Sequence, residues 1–103
     1  MNKTSLYIGL NDKDTKAQKI DTLEATKIVY NLLLSYGIDG ATIYNATGIY
    51  KHDNGEVVIE NTLRVELIEA PAGAVFGAIH SIKKALNQEA IVLQQEQITS
   101  QFI

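Results

Sequence analysis

An Asn-Gly pair at residues 54 and 55 lies between two long runs of strand-forming residues, Ala41 to His52 and Val57 to Ile68. Asparagine and glycine both accept a positive φ, which a two-residue type I′ turn requires at both of its central positions. The pair therefore predicts a β-hairpin with Asn54 and Gly55 as its loop. Because a helix-like segment adjoins each strand, this turn limits the chain to a small set of α+β folds.

Helix and strand periodicity continues on both sides of the hairpin. Asp21 precedes Glu24 at the spacing of a capping box, Gly37 suits the position after a helix end, and Pro71 suits a first helical turn. The predicted elements outside the hairpin, in chain order, are a strand containing Leu6, Ile8 and Leu10, a helix from Thr22 to Tyr36, a helix from Ala72 to Leu86 and a strand from Ala90 to Ile98.

The order of the elements is β-α-β-β-α-β, which predicts an α+β, ferredoxin-like domain. We expect a four-stranded antiparallel sheet in the order 4-1-3-2, with both helices on one face. The alternative is another α+β sandwich with the same element order. A chain of 103 residues with 46% hydrophobic residues forms one domain, from residue 1 to residue 103.

Composition excludes several classes of function. Cysteine is absent, which excludes disulfides, zinc-thiolate sites and cysteine catalysis. The net charge of -3 argues against nucleic-acid binding, and no apolar run is long enough to span a bilayer. The stretch Met1 to Thr4 runs into a strand without a signal-peptide hydrophobic region, so we expect a cytoplasmic protein. We predict no metal and no cofactor.

The assumed turn sets the register of the hairpin and the two faces of the sheet, and a β-bulge at Gly48 is the alternative that would invert part of this assignment. With Asn54 and Gly55 as the loop, Tyr44 lies opposite Val65 and Ala46 opposite Leu63. The helix-facing core is then predicted to contain the following residues: Val29, Leu33, Leu63, Val65, Phe76 and Ile79.

The same register predicts an open sheet face that carries aliphatic, aromatic and charged side chains together. Two helices cover only one side of a four-stranded sheet, and an uncovered mixed face usually marks a contact. The candidate binding or interface residues on this face are Tyr7, Ile43, Asn45, Thr47, Ile49, Arg64 and Glu66.

Residues that could carry catalysis are few. His52 lies beside Asp53 near the hairpin loop, and His80 lies at the edge of the apolar side of the second helix. A solvated histidine is the simpler interpretation of both. Asp12 and Asp14 alternate with Lys13, but the other ligands of a calcium loop are missing, so a solvated loop is favoured. We predict no catalytic residue.

Several segments resemble a family of small bacterial domains of unknown function, often described as lipoproteins. The matching residues are Leu6 to Leu10, Gly40 to Gly48, the turn at Gly55, and Asn87 to Leu93. The lipoprotein cysteine is missing, so the resemblance does not imply a membrane anchor. The element order is also remotely similar to PII-type signalling proteins, which implies an oligomeric fold, with a trimer as one form of assembly, and not ATP binding.

Three functions remain open. The first is a non-enzymatic homo-oligomeric binding or regulatory module, with a dimer expected before a trimer and the open face as interface. The second is a small enzyme that holds an organic substrate near Tyr7, Tyr44, Tyr50 and His52. The third is RNA binding on the sheet face, ranked last because Tyr7 alone offers a stacking surface and the chain is acidic.

Overall fold

A computed structural model describes all residues from Met1 to Ile103. Its six elements follow the predicted order. They are β1 (Asn2–Gly9), α1 (Thr22–Ser35), β2 (Thr42–Lys51), β3 (Val57–Ile68), α2 (Ala72–Ala85) and β4 (Val92–Gln97). The bounds of the last five differ from the predicted ones by no more than two residues, whereas β1 ends at Gly9, one residue before the predicted Leu10.

The four strands form one antiparallel sheet in the order β2-β3-β1-β4, which is the predicted order read from the other edge. Both helices contribute to a single core against one side of this sheet. The predicted ferredoxin-like fold is therefore confirmed. Neither helix is long and apolar enough to cross a membrane.

The helix ends follow from local sequence. The Asp21 carboxylate accepts a hydrogen bond from the backbone N–H of Glu24 at 2.9 Å, so it caps α1 as predicted. Gly37, just past the end of α1, has φ +78°, a conformation that glycine adopts without steric cost. The last turn of α2 carries Lys83 and Lys84, whose positive charges stabilise the helix by interacting with the negative end of its dipole.

Fifteen buried hydrophobic residues form the core, and they come from β1, β3, both helices and the adjoining loops. Five of the six predicted core residues belong to it: Val29, Leu33, Leu63, Val65 and Ile79. The prediction for Phe76 is wrong, because this side chain is 55% exposed. On α2 the buried residues are Val75, Ala78, Ile79 and Ile82, and Phe76 lies one step around the helix from them.

The hairpin loop is one residue longer than predicted. The Gly55 N–H donates to the His52 carbonyl at 2.9 Å, and the His52 N–H donates to the Glu56 carbonyl at 2.8 Å. Gly55 has φ +89°, whereas Asn54 is not in the positive-φ region. Asp53, Asn54 and Gly55 thus form a three-residue loop of the kind built from a type I turn and a left-handed glycine. The predicted type I′ turn is wrong.

The longer loop shifts the register of the hairpin by one residue. Ile43 lies opposite Val65 and Tyr44 lies opposite Arg64. Because side chains alternate between the two faces of a strand, a one-residue shift exchanges the faces of the whole of β2. The predicted pairing of Tyr44 with Val65 is therefore wrong, and Tyr44 lies on the open face instead.

Candidate functional site

Arg64 lies at the centre of the open sheet face, between two tyrosines. Tyr7 on β1 and Tyr44 on β2 both lie directly opposite Arg64 on β3. The Arg64 guanidinium carbon lies 5.2 Å from the centre of the Tyr7 ring and 5.7 Å from that of Tyr44. Both contacts fall within the range of a cation–π interaction. We call Tyr7, Tyr44, Arg64 and Glu66 the Arg64 cluster.

Glu66 joins this cluster through one hydrogen bond and two ion pairs. The Tyr44 hydroxyl donates to Glu66 Oε1 at 2.9 Å, and the same oxygen lies 3.5 Å from Arg64 Nη2 and 3.7 Å from Lys3 Nζ. The Tyr44 hydrogen bond and the two cations lower the pKa of Glu66. Desolvation and the bond to Glu66 raise the pKa of Tyr44. The carboxylate is therefore held charged and fixed in position.

Sequence reasoning named three members of the Arg64 cluster as interface residues and missed Tyr44 on this face. The reason is the register, since Tyr44 was expected to point at the helices. The Arg64 Nε atom is buried without a hydrogen-bond partner. The cluster therefore combines two aromatic rings, a fixed carboxylate and a cation on a surface that no helix of this chain covers.

The other predicted interface residues lie on the opposite, helix-facing side of β2. They are Ile43, Asn45, Thr47 and Ile49. Ile43 packs against the core at the start of the strand, whereas Ile49, near the hairpin loop, is 67% exposed. The structure thus divides the predicted interface into two surfaces. Both surfaces border β2, which is an edge strand.

The helix layer does not extend over the loop end of the hairpin. Along β3, Leu63, Val65 and Leu67 are buried, but Ile59 on the same side is 65% exposed. Ile59 lies opposite Ile49, so the two side chains form an uncovered aliphatic pair. We call Ile49 and Ile59 the hairpin patch.

A second apolar surface lies on the same side, at the start of β2. A groove of about 330 Å³ separates α1 from the chain leading into β2. Tyr30 and Leu34 of α1 and Ile43 of β2 line it, and Tyr30 and Leu34 are exposed. We call this the α1 groove. It holds no side chain of the hairpin patch, which lies at the other end of the strand.

A larger, polar groove of about 630 Å³ lies beside the hairpin loop, where Tyr50 and His52 form an edge-on aromatic pair with ring centres 5.0 Å apart. Glu60 also lines it. Of the four residues predicted to surround an organic substrate, Tyr50 and His52 are in this groove, whereas Tyr7 and Tyr44 belong to the Arg64 cluster. The structure does not bring the four together.

Glu60 is held against a glycine of the neighbouring strand. A Cβ atom at residue 9 would lie 2.5 Å from Glu60 Oε1, so the carboxylate fills space that any larger residue at position 9 would take. Glu60 Oε2 accepts a hydrogen bond from the Asn11 N–H at 3.0 Å. Glu60 thus presents a positioned carboxylate to the polar groove.

Asp12 is a structural residue of the loop after β1, not the solvated residue that its sequence suggested. It is buried, and its carboxylate accepts hydrogen bonds from the Asn87 side chain and from the backbone N–H groups of Thr15 and Asp14. These bonds lower the pKa of Asp12 from 3.8 to about 2. Asp12 therefore ties this loop to the end of α2.

The two histidines are both exposed, as predicted, and they lie on separate elements. No group of three or more His, Cys, Asp or Glu side chains is arranged to hold a metal ion.

The βαββαβ order and a four-stranded antiparallel sheet with one open face define a ferredoxin-like domain. A family model described as a protein of unknown function, DUF3574, matches residues 3–102, and the chain belongs to that family. This confirms the resemblance to a family of unknown function. No curated protein matches the sequence.

Solved structures with the same fold include an enzyme and several CutA proteins. A phage SAM lyase in its apo state has a TM-score of 0.68 and 17% identity, and covers 92% of this chain and 78% of its own. CutA1 from Pyrococcus horikoshii OT3 has a TM-score of 0.61 and 14% identity, with 99% and 87% covered. A PII-like CutA protein from Nostoc sp. PCC 7120 has a TM-score of 0.60 and 12% identity, and the match covers 95% of this chain and 81% of the CutA chain. At these identities the likeness shows the fold.

Proposed function

We propose that the protein is a non-enzymatic, homo-oligomeric binding or regulatory module, with a dimer as the first expectation and a trimer as the alternative. The observation that carries this proposal is the hairpin patch. Ile49 and Ile59 are both about two-thirds exposed and adjacent across the hairpin. A contiguous aliphatic surface of this kind usually marks a contact with another molecule.

The Arg64 cluster supports the binding part of the proposal. Its charges are held by Tyr44, Lys3 and one another, so the surface is organised before a partner arrives. Fixed charges of this kind contribute to specificity and register more than to raw affinity. The cluster reaches the edge strand through Tyr44, so a partner bound along β2 would contact both the cluster and the aliphatic side of the strand.

Sedimentation velocity at micromolar concentrations tests the self-association. We expect a species of twice the chain mass of 11.3 kDa. Ile49→Asp should reduce it to a monomer, because the exposed aliphatic pair loses its apolar surface and gains a charge. Val92→Asp is the control, since Val92 is also exposed but lies on β4, at the opposite edge of the sheet. A wild-type protein that stays monomeric would overturn the proposal.

A second candidate function is an enzyme that acts on an organic cation in the polar groove. The specific observation is the carboxylate of Glu60, held beside Tyr50 and His52 with no cation of the chain within ion-pair distance. A phage SAM lyase shares the fold, and one of its structures holds S-methyl-5′-thioadenosine. A sulfonium compound carries a positive charge, and the lining of the groove holds five carboxylates against two lysines, so the groove would attract it.

Incubation with S-adenosylmethionine, followed by chromatography for S-methyl-5′-thioadenosine, tests this candidate. Turnover that disappears in Glu60→Gln and persists in Glu24→Gln would favour the enzyme. Glu24 is an exposed carboxylate in the first turn of α1 and does not line the groove. If no product forms and neither compound shifts the melting temperature, this enzymatic function is excluded.

A further inference from the structure

The edge strand β2 lacks the features with which sheets block pairing with another chain. It runs for ten residues, pairs with β3 without interruption, and contains no proline. Its one charged residue is Lys51, at the last position. Natural edge strands are commonly short, bulged, or carry central lysines or prolines. β2 therefore presents an unprotected row of backbone donors and acceptors on one side of the molecule.

Two unpartnered apolar surfaces lie at opposite ends of β2 and on the same side of the sheet. The hairpin patch is at the loop end, and the α1 groove is at the other. Ile43 and Ile49 both face the helix side because they are six residues apart in the strand. Within one chain the two surfaces lie too far apart along the strand to cover each other.

An antiparallel pairing of two β2 strands brings each hairpin patch beside the other copy's α1 groove. A two-fold axis perpendicular to the sheet reverses the strand direction and keeps both helix layers on the same side. We propose that two copies of this chain pair in this way through β2, with the axis at Ala46. The inference rests on the self-association proposed above and names its surface.

This register follows from the side chains of β2. Directly opposite residues in an antiparallel pair lie on the same face, so the apolar surfaces meet when Ile49 of one copy lies opposite Ile43 of the other. In that arrangement Ala46 lies opposite Ala46 of the other copy. Asn45 then lies opposite the other copy's Thr47, and Tyr44 opposite its Gly48. No like charges face each other across the pair.

The same register matches the charges at the ends of the strand. Lys51 lies opposite Ala41 of the other copy, two residues from the exposed Asp39. Neither Lys51 nor Asp39 forms an ion pair within the chain. The pairing joins the two sheets into one of eight strands, so the two Arg64 clusters lie on one continuous open face.

Charge-pair variants test the surface and its register together. Asn45 and Thr47 are exposed on β2, so the folded monomer should tolerate lysine at both positions. In the proposed pair, Asn45→Lys/Thr47→Lys places lysines opposite each other, and we expect the sedimentation mass to fall twofold. Asn45→Lys/Thr47→Glu places opposite charges there, and should keep the mass at two chains. Gln94→Lys/Gln95→Lys on the other edge strand, β4, is the control and should also remain dimeric.

A disulfide across the axis provides a second measurement. The chain contains no cysteine, so Ala46→Cys introduces a single thiol. Opposite residues in an antiparallel pair have Cα atoms about 4.5–5.5 Å apart, within the span of a disulfide. We expect Ala46→Cys to form a covalent dimer on mild oxidation, and Gln94→Cys to form none.

The outcomes separate this inference from the proposed function. An oligomer whose mass is unchanged in Asn45→Lys/Thr47→Lys overturns the pairing through β2 and leaves self-association standing. A wild-type mass of three chains overturns the two-fold arrangement. A wild-type monomer overturns the proposed function itself. If Asn45→Lys/Thr47→Glu is as monomeric as Asn45→Lys/Thr47→Lys, the proposed register is wrong.

Discussion

The Tyr44 hydroxyl donates a hydrogen bond to Glu66 Oε1 across neighbouring strands at 2.9 Å. This bond is the largest cause of the lowered pKa of Glu66. Tyr44→Phe removes the hydroxyl and keeps the ring beside Arg64. We therefore expect the pKa of Glu66 to rise towards its usual value, as measured by NMR titration of its side-chain carbon.

Tyr7→Phe is the matched control for this measurement. The Tyr7 ring also lies beside Arg64, but its hydroxyl makes no hydrogen bond to Glu66. The pKa of Glu66 should stay at its wild-type position in Tyr7→Phe. Equal titration curves for Tyr44→Phe and wild type would show that the Tyr44 bond does not form in solution.

Leu63 lies in the centre of the core, opposite Ile8 on β1. Leu63→Ala should lower the free energy of unfolding by about 2–5 kcal/mol, through lost burial and the cavity that remains. Urea denaturation followed by circular dichroism measures the loss. Phe76→Ala, at a half-exposed position, should cost less despite removing a larger side chain. A larger loss for Phe76→Ala would contradict the described packing of α2.

Sequence patterns predicted most of the fold because each of these patterns is compatible with only one local structure. On β3, polar Thr62, Arg64 and Glu66 alternate with Leu63 and Val65, so the buried face was unambiguous. The helix limits followed from Asp21 and Gly37, whose side-chain cap and positive φ the structure confirms.

The face assignment of β2 could not be obtained in the same way. Ile43 and Tyr44 are adjacent and both apolar, so alternation did not distinguish the buried face from the open one. The buried face of β2 was therefore assigned from the hairpin loop, where Asn54 and Gly55 suit both a two-residue and a three-residue turn. The backbone hydrogen bonds that His52 makes with Gly55 and Glu56 show that the loop has three residues. The open-face site depended on that choice, which is why Tyr44 was misplaced and Ile49 moved to the other side.

Gly77 allows Tyr36 to pack against α2. A Cβ atom at residue 77 would lie 2.5 Å from Tyr36 Cε1, whereas one at Gly73 would meet nothing within 4 Å. Alanine is favoured over glycine in helices by up to about 1 kcal/mol. Gly73→Ala should therefore stabilise the protein, and Gly77→Ala should be less stable than Gly73→Ala by about 1 kcal/mol or more.

The Tyr36 ring provides the control for this comparison. Its hydroxyl shares a hydrogen bond of 2.6 Å with that of Ser81, and displacing the ring would break it. In a Tyr36→Ala background the steric conflict is absent, so the two alanine substitutions should change the melting temperature by similar amounts. A difference that persists in that background would assign the effect to the helix position and not to the ring.

Asp12 should make the protein less stable in acid. Its pKa is about 2 in the folded chain and 3.8 as the ordinary value, because Asn87 and two backbone N–H groups bind the charged form. The unfolded chain therefore binds more protons between these two pKa values, and stability rises with pH there. The contribution of Asp12 is present above pH 3.8 and is lost as the pH falls to about 2.

Melting temperatures of wild type and Asp12→Asn across this range measure the contribution. At neutral pH we expect Asp12→Asn to melt at a lower temperature, because a neutral side chain binds the N–H groups of Asp14 and Thr15 more weakly and turns an amide towards Asn87. The difference should shrink as the pH falls, because wild-type Asp12 becomes protonated as well. Asp53→Asn, in the exposed hairpin loop, controls for the loss of one negative charge. A difference between wild type and Asp12→Asn that stays constant down to the lowest pH would show that the charge of Asp12 does not hold the loop against α2.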